Sequence, residues 1–161
     1  MITIDPGLNG CGVAFWGVKE LQAAYYLPRN SRVEQKPFGM AETLRSAVES
    51  AMPVERIIIE KPQIYPSMPV PSDDLLNLHE MSSIFVGLLG RTVEWVRPRE
   101  WKGSVRKEIM TNRLIAIMDN TDENGDIVLP TAKSLQHNVY DAIGIGLWAL
   151  GRLDRKRVYP R

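Results

Sequence analysis

The sequence is poor in the residues that mark several common classes of protein. Of its 161 residues, one is cysteine and two are histidine. A single thiol, Cys11, excludes an internal disulfide, which fits a reducing compartment. Because no second cysteine lies near it, no zinc site is indicated and Cys11 is expected to be a small buried residue.

Long apolar runs and a basic leader are also missing. The longest apolar run, Ala142 to Leu150, falls well short of the ~20 residues that span a bilayer. The opening Met-Ile-Thr-Ile-Asp carries no basic region, so no signal peptide is predicted. We expect a soluble, cytoplasmic protein.

Excess charge of one sign is absent as well. The net charge of +1 does not mark a nucleic-acid binder. Basic residues nevertheless cluster at 97–107 and again at 152–161, and local clusters matter more than net charge for binding a polyanion. A solvated face and a frayed basic tail would give the same pattern, so these clusters leave both interpretations open.

The apolar pattern predicts an α/β fold, and the length suits a single domain over 1–161. Three consecutive strands are followed by strands that alternate with helices, which indicates a mixed sheet flanked by helices. Five strands are predicted at 2–4, 11–17, 21–27, 56–60 and 92–97. Helices are predicted at 40–52, 73–90, 104–118 and 135–153, with 119–133 as a loop.

Three acids occupy positions where acids are locally costly. Asp5 and Glu60 each end an apolar strand, and Asp141 interrupts an apolar helix. Carboxylates are seldom buried without a cation, and the ends of adjacent strands lie roughly 5 Å apart. With no lysine or arginine beside Asp141 in the sequence, the three predict an oxygen-ligand site for magnesium or manganese.

Each acid also has an ordinary explanation. Asp5 could form a turn with the following Pro-Gly, Glu60 could be a solvated strand end, and Asp141 could face solvent on an amphipathic helix. The three ordinary explanations would all have to hold at once. Against this, Glu60 and Asp141 interrupt runs that otherwise have the composition of a buried core.

Three segments carry a specific resemblance. They are 4–12 (IDPGLNGCG), 57–62 (IIIEKP) and 138–142 (NVYDA). In order and spacing they resemble the opening strand and turn, the second acidic strand and the last catalytic helix of RuvC-type Holliday-junction resolvases. The resemblance covers nearly the whole chain. It implies an RNase H-like fold with a mixed five-stranded sheet, whose first three strands form an antiparallel meander.

The resemblance also implies an activity. It is the cleavage of branched DNA, typically four-way junctions, by a homodimer that makes paired nicks and leaves 5′-phosphate and 3′-hydroxyl ends. Two Mg²⁺ ions, replaceable by Mn²⁺, would be held by Asp5, Glu60 and Asp141. The helix at 73–90 would form the dimer interface, although a helix sandwiched within the monomer would have the same composition.

The sequence departs from the family at one position. Three residues before the last acid the family usually has Asp or His, and here stands Asn138, preceded by His137. Both share the helix face of Asp141. Asn138 could be a neutral oxygen ligand, and His137 a ligand or proton shuttle. A capping role for Asn138 and a surface His137 are the alternatives.

Substrate contacts are predicted at two places. Tyr65 and Met68, in a proline-rich loop, would touch DNA near the crossover, unless the loop is only a connection. Trp101 and the basic residues near it would contact the DNA backbone; the basic residues are Arg97, Arg99, Lys102, Arg106 and Lys107. Two rivals stay open, an RNA-processing nuclease of the same fold and a catalytically inactive protein that binds branched DNA.

Overall fold

A computed structural model describes residues 1–28, 36–50, 54–63, 72–89, 92–121 and 125–153. Within these residues six strands form one sheet. The strands are β1 (Ile2–Asp5), β2 (Gly10–Trp16), β3 (Leu21–Pro28), β4 (Ile57–Glu60), β5 (Val93–Val96) and β6 (Asp126–Val128). The helices are α1 (Lys36–Ser50), α2 (Ser72–Leu89), α3 (Pro98–Trp101), α4 (Lys107–Asn120) and α5 (Lys133–Ala149).

The sheet is mixed, as predicted. Its strand order is β5-β4-β1-β2-β3-β6. β1, β2 and β3 form the antiparallel meander, whereas β4 runs parallel to β1, and β5 runs parallel to β4. The carboxyl ends of β1, β4 and β5 therefore share one edge of the sheet.

The predicted strand count of five is wrong. β6 lies within the predicted loop at 119–133, and it pairs in parallel with β3. It has three residues, two of them exposed, so it carries neither the length nor the apolar alternation that identifies a strand in a sequence.

Helix ends also differ from the prediction. α1 begins at Lys36 rather than at 40, and α4 begins at Lys107 rather than at 104. The sequence pattern does not predict the short helix α3. Pro98 ends β5, as expected, but it also opens α3, because proline is tolerated in the first turn of a helix, where its missing N–H has no partner to lose.

Two apolar layers cover the sheet. In β4, Ile57 and Ile59 point into one layer with α1 and α2, and Ile58 points into the other with α4 and α5. Such burial on both faces explains the continuous isoleucine run. No helix among the described residues has the length and apolar character needed to cross a membrane.

Candidate active site

Asp5 and Glu60 end two neighbouring parallel strands. In the register of β1 and β4, Ile4 lies beside Ile59, so the next residue of each strand is one of the two acids. Strands in a sheet are separated by about 4.8 Å, and residues at matching positions point to the same face. The side chain of Asp5 is buried, and that of Glu60 is 14% exposed.

Helix α5 brings Asp141 to the same face. The Thr3 hydroxyl, two residues before Asp5, donates a hydrogen bond of 2.7 Å to the carbonyl of Ala142. A Cβ on Gly12 would lie 1.9 Å from the carbonyl oxygen of Asn138, so the strand beside β1 must have glycine there for α5 to approach. Asp141 is 5% exposed.

A lysine occupies the space between two of the acids. The ammonium of Lys102 lies 2.9 Å from Asp141 Oδ2 and 3.6 Å from Glu60 Oε2. The expectation that no lysine or arginine neutralises Asp141 is therefore wrong. Lys102 is 39 residues away in sequence and follows the short helix α3, which the end of β5 places at this edge.

The side chain of Trp101 contacts both Glu60 and Lys102. It is fully buried, so its predicted place on a DNA-contacting surface is wrong. The indole N–H donates a hydrogen bond to Glu60 Oε2, and the ammonium of Lys102 lies 4.7 Å from the centre of the ring. Trp101 thus orients Glu60 and adds a cation–π contact to Lys102.

The buried carboxylates repel each other. Burial raises the pKa of Asp5 well above its usual range, and the charges of Glu60 and Asp141 raise it further. Burial also raises the pKa of Glu60, with Lys102 opposing the shift and Asp141 adding to it. Ionising Asp5 and Glu60 therefore costs free energy that a nearby cation would offset.

Lys102 is the cation that does so in this structure. Burial by itself lowers the pKa of Lys102, but attraction by Asp141, Glu60 and Asp5 outweighs burial and raises it. The ammonium therefore stays charged at neutral pH. It forms the centre of a buried cluster of one ammonium and three carboxyl groups.

The carboxylate oxygens are suitable ligands for a divalent metal ion, but the three side chains are spaced around the Lys102 ammonium. Three carboxylates supply the hard oxygen ligands that Mg²⁺ and Mn²⁺ prefer. Among the described residues, no three acidic, histidine or cysteine side chains lie close enough together to ligate one ion. The Lys102 ammonium lies between Glu60 and Asp141, so an ion that binds both acids must take its place.

Asn138 and His137 precede Asp141 by three and four residues on α5. Asn138 is 6% exposed, and a Cβ on Gly7 would lie 2.9 Å from its amide nitrogen, so its side chain packs against the β1–β2 turn. The capping alternative is wrong, because α5 begins more than a turn earlier, at Lys133. His137 is half-buried, and burial together with Lys107 lowers its pKa, which favours the neutral ring.

The other predicted substrate-binding residues fall into two groups. Four basic side chains around the cluster are exposed, namely Arg97, Arg99, Arg106 and Lys107. Tyr65 and Met68 lie outside the described residues. Lys102, by contrast, faces the carboxylates rather than the open surface.

The comparisons with known proteins concern the fold. No protein-family model and no curated protein sequence matches this chain. The structure of T. thermophilus RuvC in complex with a Holliday junction substrate is similar, with a TM-score of 0.62 and 12% identity over 94% of this chain and 97% of that one. The chain has the RuvC-type resolvase fold.

Two further structures share this RuvC-type fold. Another structure of Thermus thermophilus RuvC has a TM-score of 0.54 and 14% identity, over 94% of this chain and 98% of that one. The yeast mitochondrial Holliday junction resolvase Ydc2 has a TM-score of 0.60 and 10% identity, over 97% of this chain and 80% of that one.

In the RuvC-type fold the position of Lys102 has a topological cause. β5 is parallel to β4, so the segment after β5 emerges at the edge where Asp5 and Glu60 lie. That rule was available from the predicted strand order and could have placed the segment after β5 at this edge, but not the contact of Lys102 with Asp141. The indole bond to Glu60 had no comparable signal, since it joins residues 41 positions apart.

Proposed function

We propose that this protein is a metal-dependent endonuclease that cleaves branched DNA, with four-way junctions as its substrate. The observation that carries the proposal is the convergence of Asp5, Glu60 and Asp141 on one edge of a sheet with the RuvC-type fold. Of the similar structures, one is a Holliday junction resolvase and another holds a Holliday junction substrate.

The chemistry divides between the chain and the metal. Asp5, Glu60 and Asp141 would hold Mg²⁺ or Mn²⁺, with the Asn138 amide oxygen as a further neutral donor. Such ions, when bound, lower the pKa of an attacking water and stabilise the leaving oxygen, which gives 5′-phosphate and 3′-hydroxyl products. Trp101 keeps Glu60 oriented through its indole hydrogen bond. Lys102, once freed from the carboxylates, can bind a phosphate oxygen.

The exposed basic residues supply contacts to the DNA backbone. Arg97 and Arg99 lie at the start of and within α3, and Arg106 and Lys107 lie at the start of α4. Contacts of this kind position a nucleic acid without reading its sequence. Tyr65 and Met68 remain predicted contacts near the crossover.

Paired nicks require a dimer, for which α2 is the proposed interface. One face of α2 packs on the core through Met81, Phe85 and Leu89. Away from that face, Leu76 is 66% exposed. An exposed leucine on a helix that already has a buried face suits contact with the same helix of a second copy.

A catalytically inactive junction-binding protein is the second candidate. It is favoured by Lys102, whose ammonium already contacts both Glu60 and Asp141, and by the amide at position 138 in place of an acid or histidine. If no ion can displace Lys102, the metal cannot bind, whereas the basic surface can still bind DNA.

A substrate panel separates these possibilities. The protein is incubated in millimolar Mg²⁺ with a labelled four-way DNA junction, the matched linear duplex, an RNA–DNA hybrid and an RNA stem-loop. Symmetric nicks in the junction alone support the proposal. Cleavage of RNA substrates alone would replace it with the RNA-processing nuclease. Tight junction binding without cleavage in either Mg²⁺ or Mn²⁺ would favour the inactive protein.

A further inference from the structure

An open depression of about 340 Å³ lies beside the carboxylate cluster, and of its lining residues only Lys107 and His137 have been given a role so far. The first residues of α4 and of α5 line it, and for brevity it is called the helix-junction pocket. Its walls include Lys107 and Thr111 from α4 and Lys133, His137 and Tyr140 from α5. The volume is at the lower end of the range for small-ligand sites, so it suits one nucleotide rather than a length of duplex.

The charge at the pocket favours an anion. Lys107 and Lys133 contribute two positive charges, and Glu108 contributes one negative charge. The first two residues of both helices lie in the wall, and neither helix has a side-chain hydrogen bond at its N-cap. Backbone N–H groups in the first turn of a helix lack intrahelical partners and add to the attraction of an anion.

The remaining lining suits the other parts of a nucleotide. Tyr140 offers an aromatic ring on which a base can stack. Thr111, Asn112 and Gln136 offer hydroxyl and amide groups that can hydrogen-bond to a base or sugar, and the Gln136 amide is fixed by a hydrogen bond to the carbonyl of Pro130. The pocket therefore combines a cationic end, polar groups and an aromatic surface.

The pocket also lies at a useful distance from the carboxylates. His137 in its wall and Asp141 in the cluster are four residues apart on α5, which is about 6 Å along the helix axis. One step along a DNA strand advances at least about 3.4 Å. A strand whose scissile phosphate lies at the carboxylates would therefore bring one of the next two nucleotides to the pocket.

We propose that the helix-junction pocket is a subsite for a nucleotide next to the cleaved bond. It takes the phosphate between Lys107 and Lys133, and it takes the base or sugar against Tyr140 and Thr111. The inference rests on the proposed function, because it assumes a DNA strand at the carboxylates. The proposal also gives the direction of that strand, which would run along α5 from Asp141 towards His137.

Two variants and one control test the subsite by binding alone. Lys133→Gln removes an exposed charge of the pocket, and Thr111→Phe fills the cavity without changing any charge. Lys19→Gln removes an exposed lysine in the β2–β3 turn. Affinity for a four-way DNA junction is measured by fluorescence anisotropy in EDTA at several salt concentrations, so that no cleavage is involved.

Lys133→Gln should weaken binding about fivefold and reduce the slope of log affinity against log salt by about one. Thr111→Phe should weaken binding by a similar factor with the slope unchanged. Lys19→Gln should change neither quantity. If both pocket variants bind as tightly as wild type, or if Thr111→Phe alone is silent, the subsite is overturned.

A second readout locates the ligand directly. Thymidine 5′-monophosphate is titrated into the wild-type protein, and the backbone amide signals are followed by NMR. Shifts at residues 107–112 and 133–140 are expected, and shifts confined to other regions would contradict the subsite. If these results hold while no junction is nicked, the pocket stands and the nuclease proposal fails. If junctions are nicked while the pocket variants are silent, the nuclease proposal stands and the pocket fails.

Discussion

At the scale of single residues, the site contains one buried ammonium close to three buried carboxyl groups. Lys102 contacts Glu60 and Asp141, while burial and the two neighbouring acids raise the pKa of Asp5. Each charge in such a cluster affects the binding of any added cation, because partly buried charges are weakly screened. Two substitutions at this scale have opposite and measurable consequences.

Replacing Lys102 should strengthen metal binding. In Lys102→Met the ion no longer competes with an ammonium, so affinity for Mn²⁺ in the absence of DNA should rise on the order of tenfold, a change of about 1.4 kcal/mol. Isothermal titration calorimetry measures this directly. Lys61→Met, an exposed lysine next to Glu60 in sequence, is the matched control and should leave the affinity unchanged. Equal or weaker binding by Lys102→Met would show that Lys102 does not occupy the metal position.

Replacing Asp5 should stabilise the metal-free protein. The raised pKa of Asp5 means that its ionised form is disfavoured in the folded state, so at neutral pH the wild type has lost the stability that protonated Asp5 provides below its unfolded-state pKa. Asp5→Asn should therefore raise the melting temperature in EDTA by roughly 2–4 °C, with the difference shrinking as the pH is lowered.

Differential scanning calorimetry at several pH values measures the effect. Asp126→Asn, at an exposed position of β6, is the control and should melt with the wild type. A lower melting temperature for Asp5→Asn would mean that the ionised carboxylate stabilises the fold, contrary to the repulsion inferred from its burial.

At the scale of elements, α5 positions the site through its small residues. A Cβ on Gly144 would lie 2.4 Å from a ring carbon of Trp101, so only glycine lets the indole pack beneath α5. That packing in turn fixes the bond to Glu60 and the position of Lys102. A change at Gly144 should therefore be felt at the carboxylates although it touches none of them.

Gly144→Ala should destabilise the protein by about 1–3 kcal/mol, the usual cost of an overpacked core, and should lower junction cleavage as Trp101 shifts. Ser46→Ala is the control, because it adds no volume at an exposed position of α1. The control should be neutral or more stable by up to about 1 kcal/mol, since alanine favours a helix. Urea unfolding measures both variants, and equal stability for the two would contradict the close approach of Trp101 to α5.

The local sequence pattern predicted those features that depend on a single helix or strand. The isoleucine run ending at Glu60 and the acid within α5 identified two elements and their acids, and the parallel order of β1 and β4 then implied that Asp5 and Glu60 lie together. The pattern was uninformative for β6, which has three residues, and for the contact of Lys102 with Asp141, which depends on where the loop after α3 folds.

At the scale of the whole molecule, the proposed function requires a dimer. Leu76 lies on α2 away from the buried face, so Leu76→Glu should place charges in the interface and give a monomer, with paired nicks replaced by single ones. Val18→Glu, in the β2–β3 turn at 91% exposure, is the control and should leave the dimer intact. Sedimentation equilibrium at micromolar concentration decides, and a monomeric wild type would contradict the α2 interface.

The central claim is that Asp5, Glu60 and Asp141 form one metal-dependent catalytic centre for branched DNA. The most direct measurement is nicking of a labelled four-way junction in Mg²⁺ by the wild type beside Asp141→Asn, with an EDTA control. Symmetric nicks by the wild type in Mg²⁺, and none by the variant or in EDTA, are the predicted result. Equal nicking by Asp141→Asn, or nicking that persists in EDTA, would contradict the claim.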